Sequence, residues 1–533
     1  MEKIFVNGSI QTLDSTGRVY QAVGVRHGRI EALGVEDEVR RMTSSRTEII
    51  DLKGAVMFPG FIDSHNHLIM FAYLANGIDL SSPAVHKIDD ILRLVKAETE
   101  QVQSGTWIKG YRFAEYKLAE NRYPTRHDLD PVSPENPVIL YHTSFHACVL
   151  NSLALQEIGI TKETKAQQGG VIEKDSDTGE PTGVLFDADM MNVFNDLFNQ
   201  DLNAMTTSER VTMCSNGTAR FAETGLVGAA DALVTPTSLT VYQETLAAGM
   251  LKVRVYTMND LTNSEHLIEA GVRTGLGNDW LKIGPIKIFE DGGMSSRTAA
   301  VTAPYLTPPH DHGLKVYSRE ELIATIERLH PLGYQIAIHS QGDDGLNDTL
   351  DAFESVLGPH SQNPLRHRIE HAGCLYPRLL ERAANMNICI SSQPAFFSDL
   401  GDGWIEAFGR ETANRLYPFK SMLRAGIHLG GSSDCPVISH DPRIGLRDAV
   451  LRRTQSGEIL GPDEALTMDE ALKMFTYGSA YLAFEEKIAG TIEVGKRADF
   501  TVLAADPREV PIEEVPDIPV KMTIVGGKIV FSG

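Results

Sequence analysis

Eight short apolar segments constrain the fold of this chain more than any other feature. Each runs into polar residues at its C-terminal end, and helix-forming stretches follow most of them. They are GFIDSHNH (60–67), LVGAADALV (226–234), LKVRVYTMND (251–260), IGPIKIFEDG (283–292), YQIAIHSQGD (334–343), HRIEHAG (367–373), NICISSQP (387–394) and GIHLGGSSDCP (426–436). Helical patterns such as SREELIATIERLHPLG and DGLNDTLDAFESVLG lie between them. Strand–helix alternation implies a parallel sheet joined by right-handed crossovers. Eight such units predict a closed (β/α)8 TIM-like barrel. Alternation alone leaves an open doubly wound sheet as the alternative.

Two regions depart from that rhythm. The interval of about 75–205, between the first two strands, is far longer than an ordinary crossover and is expected to be an inserted lobe over the catalytic face. Both chain ends are β-rich and punctuated by Asn-Gly and His-Gly turns, from KIFVNGSIQTLD to VKMTIVGGKIVFSG. They predict one small β-sandwich domain built from residues 1–57 plus 484–533, flanking a barrel over 58–483. A length of 533 residues accommodates a large barrel plus these parts.

A formal net charge of −22 argues against nucleic acid or a membrane surface as partner, because an acidic surface repels phosphate. MEKIFVNGSIQTLD lacks the basic and apolar regions of a secretory signal, and no apolar run of about 18 residues is present to span a bilayer. The five cysteines are scattered with no CxxC spacing, which excludes a cysteine-rich zinc site and fits free thiols in a reducing compartment. The expectation is a cytoplasmic protein acting on a small molecule. Dimers are common in this fold, so a homodimer is expected on that base rate alone.

The chemistry-bearing residues sit at the strand ends. His65 and His67 are two apart on the first strand, so alternation turns both imidazoles the same way, where they can ligate zinc or a similar divalent ion. His339, His371 and Asp434 follow strands 5, 6 and 8, the positions from which barrel enzymes present catalytic groups. Each has a plainer reading as a polar loop residue, or as a helix N-cap for Asp434. Lys287 lies within strand 4, flanked by Ile286 and Ile288, where an inward lysine is costly unless paired or chemically altered. Reaction with carbon dioxide would make it an anionic carbamate bridging two metals. A snorkelling lysine, or an ion pair with Glu290 or Asp291, is the alternative.

In order, PGFIDSHNH, the strand-4 lysine, IHSQGD, RIEHAG, GSSDCP and the tail GTIEVGKRADFTVLAADP resemble the amidohydrolase superfamily. Further stretches, IKIFEDGGMSSRTAA, HACVLNSLAL, GGVIEKDSDTGEPTGVL and LTMDEALKMFTYGSAYLAFEEKIAGTIEVGKRADF, are similar to the branch that includes N-substituted formamide deformylase. The resemblance implies His65, His67, Lys287, His339, His371 and Asp434 as the metal-site set, holding one or two zinc ions, with Lys287 N6-carboxylated in the two-metal case. It implies hydrolysis of a C–N bond by a metal-activated water. Asp434 would act as general base and then as acid towards the leaving nitrogen, and His371 as ligand or polarising donor. His146, on the inserted interval, and Arg297, after strand 4, are candidate substrate-binding residues; a satisfied lobe histidine and a structural salt bridge are their alternatives. Trp107, Tyr111, Phe396 and Phe397 read as core aromatics, and Glu370 is expected to face away from the pocket by alternation, in a supporting role. Hydrolysis of an ester or lactone on the same site, or a ligand-binding barrel without turnover, are the competing readings.

Overall fold

The computed structural model describes residues 1–533 apart from 76, 82–84 and 308–311. Its centre is an eight-stranded parallel sheet whose strands follow one another in chain order. They are β1 (Phe61–Asn66), β2 (Leu226–Val234), β3 (Arg254–Asp260), β4 (Leu281–Phe289), β5 (Ile336–Ser340), β6 (Arg368–His371), β7 (Cys389–Ser392) and β8 (Leu429–Gly431). All eight lie within the segments expected from sequence, apart from the first two residues of β4. The sheet curls until β8 reaches β1. There the seam is closed by the chain just past β8: the Asp434 amide donates to the His65 carbonyl at 2.8 Å, and the His67 amide donates to the Cys435 carbonyl at 2.7 Å. The Ser64 hydroxyl adds a bond to the Gly431 carbonyl at 3.0 Å. A near-closed parallel barrel, rather than an open doubly wound sheet, is the result.

Local chemistry explains the crossovers. The helix Arg319–Leu329 opens with a capping box, in which the Ser318 hydroxyl accepts from the Glu321 amide and Glu321 reaches back to the Ser318 amide. It buries Leu322, Ile326 and Leu329, a 3.6-residue stripe, against the barrel. The helix Asp343–Leu357 does the same with Leu346, Leu350 and Phe353 and carries two aspartates in its first turn, where the helix dipole favours them.

Three further sheets surround the barrel. Six strands within residues 78–186, between β1 and β2, form one of them. A four-stranded sheet is made from N-terminal strands alone, in the order Arg29–Gly34, Ala22–Arg26, Lys3–Val6, Glu48–Asp51. A six-stranded sheet mixes the two ends of the chain, since Phe500–Leu503 pairs antiparallel with Val56–Pro59 and places Thr501 opposite Phe58. Phe5, Ile10, Val23, Met57, Phe500, Val502 and Ile524 share one buried cluster between these terminal strands. All five cysteines are free and buried, and among the described residues no helix is long and apolar enough to cross a membrane.

One hydroxyl ties the terminal sheet to the barrel. Fully buried Thr501 accepts from the Phe61 amide at 3.1 Å, where β1 begins, and donates to the Gly225 carbonyl at 2.6 Å, just before β2. Thr501→Val keeps the volume but strands a buried donor and a buried acceptor. The expected loss is about 1–3 kcal/mol of stability, read as a lower midpoint in thermal or denaturant unfolding. An unchanged midpoint would show that the hydroxyl contributes nothing.

Candidate metal centre

The C-terminal ends of the barrel strands converge on a small buried cavity. It is lined by His65, His67, Lys287, His339, His371 and Asp434, with Ser144, Phe145 and His146 entering from the sheet between β1 and β2. His65 and His67 face the same way, as their spacing predicts: their Nε2 atoms lie 3.3 and 3.2 Å from one oxygen, Asp434 Oδ1. His65, His371 and Asp434 each offer a ligand atom, and the three atoms lie within 4.8 Å of one another. The His339 and His371 rings are 4.4 Å apart, which brings β5 into the same group.

Each imidazole has one nitrogen taken by the scaffold. His65 Nδ1 donates to Glu370 at 2.5 Å, His67 Nδ1 to the Ala232 carbonyl at 3.2 Å, and His371 Nδ1 to Gln393 Oε1 at 2.9 Å. His339 uses the opposite atom, with Nε2 donating to the Gly292 carbonyl at 3.2 Å. Such bonds fix the tautomer and leave the other nitrogen's lone pair for a ligand role. Burial holds His67 below its ordinary pKa, His339 well below it, and His371 down to about 3, so the rings are neutral, the form that binds metal. Burial alone would raise Asp434, but its contacts with the His65 and His67 rings hold its carboxyl well below the usual range.

Lys287 is the group that protein contacts leave unanswered. It is fully buried, its Nζ has no hydrogen-bond partner among the described residues, and it lies over the face of Phe289, 4.8 Å from the ring centroid. Neither Glu290 nor Asp291 pairs with it: both Glu290 oxygens lack a hydrogen-bond partner among the described residues, and Asp291 accepts from the amides of Ala300, Gln341 and Gly342. Desolvation brings the Lys287 amine down to about 8. Converging lone pairs and an anionic carboxylate are donors of the kind a divalent ion takes, and beside them lies an amine whose proton is held more weakly than usual.

Glu370 corrects a simple expectation. Alternation was to turn it away from the site, yet it points inward and bonds His65. Burial would raise its pKa, but the Arg368 guanidinium, bonded at 2.5 and 2.8 Å, and His65 hold it well below the usual range. Both Glu370 and His371 reach the centre because alternation stops at His371. That residue has a φ of +73°, and the Ala372 amide bonds back to the Glu370 carbonyl at 3.0 Å, a tight turn around His371. Leu233 and Asp434 at the same rim also have left-handed φ values, +61° and +60°. Such conformations cost about 1–3 kcal/mol each and persist where surrounding structure imposes them.

The remaining candidates divide. His146 lines the cavity, with its ring 5.1 Å from that of His339 and its Nδ1 2.7 Å from Asp187 Oδ1. Arg297 is buried, and its guanidinium meets Glu115 at 3.0 Å, Thr307 at 2.8 Å and Glu406 at 3.6 Å, so the salt-bridge alternative describes its surroundings. Phe397 packs in the core against Trp404, Tyr417 and Phe419. Phe396 stacks behind His371 at 6.3 Å. Sequence reasoning missed Asp187, Gln393 and Asp63, whose carboxylate accepts from the Ser433 amide and hydroxyl and so shapes the turn carrying Asp434. Only Asp63 carried a sequence signal, its place two residues before His65.

A wider cavity of about 250 Å³ adjoins the inner one of about 30 Å³. They share His146, Met191, Leu233, Lys287 and Phe289. Leu261, Ile288, Val316 and Tyr317 give the outer one an apolar wall, and Gln167, Gln168, Asn192 and Asn195 a polar one.

The model of the amidohydrolase family matches residues 48–531 of this chain. N-substituted formamide deformylase of Arthrobacter pascens is 32% identical over 551 aligned residues, covering 99% of this chain and 98% of the relative. The crystal structure of an uncharacterized metal-dependent hydrolase from Pyrococcus horikoshii OT3 superposes with a TM-score of 0.77 at 28% identity, over 96% of this chain and 99% of that one. A second such hydrolase, from Pyrococcus furiosus, gives 0.73 at 28% identity, over 95% of this chain and 100% of that one.

Lys287 yields a test with a definite sign. The amine sits at 10.5 in an unfolded chain and about 8 in the folded one. Between those values the unfolded chain holds the proton and the folded chain does not, so stability rises with pH across that window, and the buried ammonium is destabilising below pH 8. With metal removed by chelation, Lys287→Met is therefore expected to melt above wild type at pH 7. The gap should narrow as pH climbs past 8. Equal midpoints at pH 7 would count against an uncompensated charge.

Proposed function

The chain belongs to the amidohydrolase family and so performs metal-dependent hydrolysis at carbon–nitrogen bonds, and we propose that its substrate joins a small acyl group to a larger amine, as in an N-substituted formamide or a related carbamate or ureide. The observation that carries this reading is the pair of unequal cavities. The inner one, of about 30 Å³, is the pocket of the candidate ligands and leaves little room for an acyl chain, whereas the outer one, of about 250 Å³, has room for a bulky substituent. The deformylase relative, whose name specifies an N-substituted formamide, agrees with that division.

His65, His67, His339 and His371 through nitrogen, Asp434 through its carboxylate and Lys287 as an N6-carboxylate would hold one or two divalent ions, zinc being the usual partner of such nitrogen-rich sets. When bound, the ion supplies Lewis acidity, polarising the carbonyl and lowering the pKa of water from 15.7 towards about 7. Asp434 takes the proton of the attacking water, because its carboxylate is ionised and lies within the same cavity. Glu370 and Gln393 keep His65 and His371 in the tautomers that ligate. Lys287 is the residue through which a second ion would be bridged.

We read residues 75–205 as a lobe that covers this face, supported by Ser144, His146 and Met191 in the cavity wall. Residues 1–57 and 484–533 are read as one composite sandwich, supported by the pairing of Phe500–Leu503 with Val56–Pro59. The five unpaired cysteines support a reducing, cytoplasmic setting.

Elemental mass spectrometry tests the centre. About two zinc equivalents in wild type, falling to about one or none in Lys287→Ala, is the expected result for a carbamate bridge. One equivalent in both proteins would make the site mononuclear and Lys287 structural. Asp434→Ala is expected to lower kcat by about 10²–10⁴ with a much smaller change in metal content; wild-type turnover would remove its role as base. N-alkyl formamides should be hydrolysed with higher kcat/KM than the corresponding long-chain acyl amides and matched esters. Preference for the esters would move the reading to ester or lactone hydrolysis.

A further inference from the structure

We propose that His146, held by Asp187, is the acid that protonates the departing amine, across the cavity from Asp434. The proposal rests on the reading of the chain as a C–N hydrolase. It reassigns to His146 the second proton transfer that sequence alone gave to Asp434.

Strand register brings the two residues together. Ala147–Leu150 and Pro181–Phe186 pair antiparallel with Ala147 opposite Phe186. His146 and Asp187 are the next residues outward on each strand, and the Asp187 amide donates to the His146 carbonyl at 2.8 Å. The side chains meet as well: His146 Nδ1 donates to Asp187 Oδ1 at 2.7 Å, and the Thr298 hydroxyl donates to the same oxygen at 3.3 Å. That bond commits Nδ1 and leaves Nε2 as the other nitrogen of a ring that lines the cavity. Asp187 adopts this position with a left-handed φ of +46°, a strained backbone for a non-glycine residue.

The loop after β4 is shaped to admit the pair. In EDGGMSSRT, a Cβ on Gly292 would lie 2.1 Å from Thr298 Oγ1 and 2.6 Å from Asp187 Oδ1, and a Cβ on Gly293 would lie 2.9 Å from both Ser296 Oγ and His146 Cδ2. Neither glycine has a φ that requires glycine, so it is the space they leave that matters. The Gly-Gly after Lys287 thereby leaves room for the loop's own Ser296 and Thr298 hydroxyls and for the Asp187–His146 pair.

Position assigns the role. Asp434 lines the inner cavity alone, whereas His146 lines both cavities at their junction. A substrate with its carbonyl in the inner cavity and its amine substituent in the outer one carries its scissile nitrogen past His146. As the C–N bond breaks, its electron pair stays on nitrogen and the proton on His146 Nε2 passes to that nitrogen. The amine leaves neutral, and the imidazole is left neutral with Nδ1–H still on Asp187. Solvent then takes up the proton that Asp434 removed from water and returns one to His146, so the cycle closes without a further reactant. His146 is thus a catalytic residue, and Asp187 a positioning residue that acts through it.

Leaving-group dependence tests this. Purified holoenzyme is assayed on formamides of alkylamines and of nitroanilines, whose departure needs a proton strongly and weakly respectively. His146→Ala is expected to lose about 10²–10⁴ in kcat on the alkyl formamides but less than about tenfold on the nitroanilides, with zinc content unchanged. Asp187→Asn should show the same rank order with a smaller loss. Gly293→Ala keeps the imidazole but crowds it, and should reproduce the pattern even if His146→Ala fails to fold. Equal losses on both amine classes, or none, would overturn the dyad while leaving the metal hydrolase intact. A wild-type enzyme that cleaves only esters would sink the C–N reading, and the dyad with it.

Discussion

The chemistry at the mouth of this barrel turns on a buried lysine that has no acceptor among the described residues. Moving an ammonium out of water without a partner costs several kcal/mol, and protein chemistry normally avoids it by pairing the charge or expelling it. Here the chain does neither. Ile286 and Ile288 wall Lys287 into β4, and its Nζ is left without a hydrogen bond among the described residues. Desolvation favours loss of the ammonium proton, and burial likewise keeps His67, His339 and His371 neutral beside it. The one firm negative charge they share is on Asp434.

That arrangement is expensive in backbone as well as in charge. His371, Asp434, Leu233 and Asp187 all take left-handed conformations that β-strands and helices avoid. They are held by bonds that leave little choice. Asp434 is fixed through its amide to the His65 carbonyl, the same bond that closes the barrel seam. Closing the barrel and placing Asp434 are therefore one event: a sheet that failed to close would also lose its Asp434. Behind the cavity, Arg368, Glu370 and His65 form a fully buried chain in which a cation fixes an anion and the anion fixes a tautomer. Such chains tolerate poorly the loss of any member, because each removal leaves a buried charge alone.

Much of this was legible in the residues. Strand–helix alternation gave eight strands, and the His65/His67 spacing gave two rings facing one oxygen. Lys287 was suspect for the reason that proved important, a cation between two isoleucines. Glu370 was misjudged because alternation assumes an unbroken strand, and the strand ends in a turn at His371. Arg297 looked available from sequence because Glu115, its partner, lies far away in the chain. Asp187 was invisible for the same reason: nothing local links it to His146, 41 residues earlier.

Sequence by itself determined the periodic features and the inventory of reactive groups: which segments are strands, which ends carry imidazole or carboxylate, and where a charge is trapped among apolar neighbours. These follow from local rules, since side-chain alternation and burial preference act over a few residues. Tertiary structure alone decided the pairings, His65 with Glu370, His146 with Asp187 and Arg297 with Glu115, and the division of the cavity into a small inner and a larger outer chamber. Those depend on register between strands and on barrel closure. Both are set by the packing of the whole chain rather than by any stretch of it.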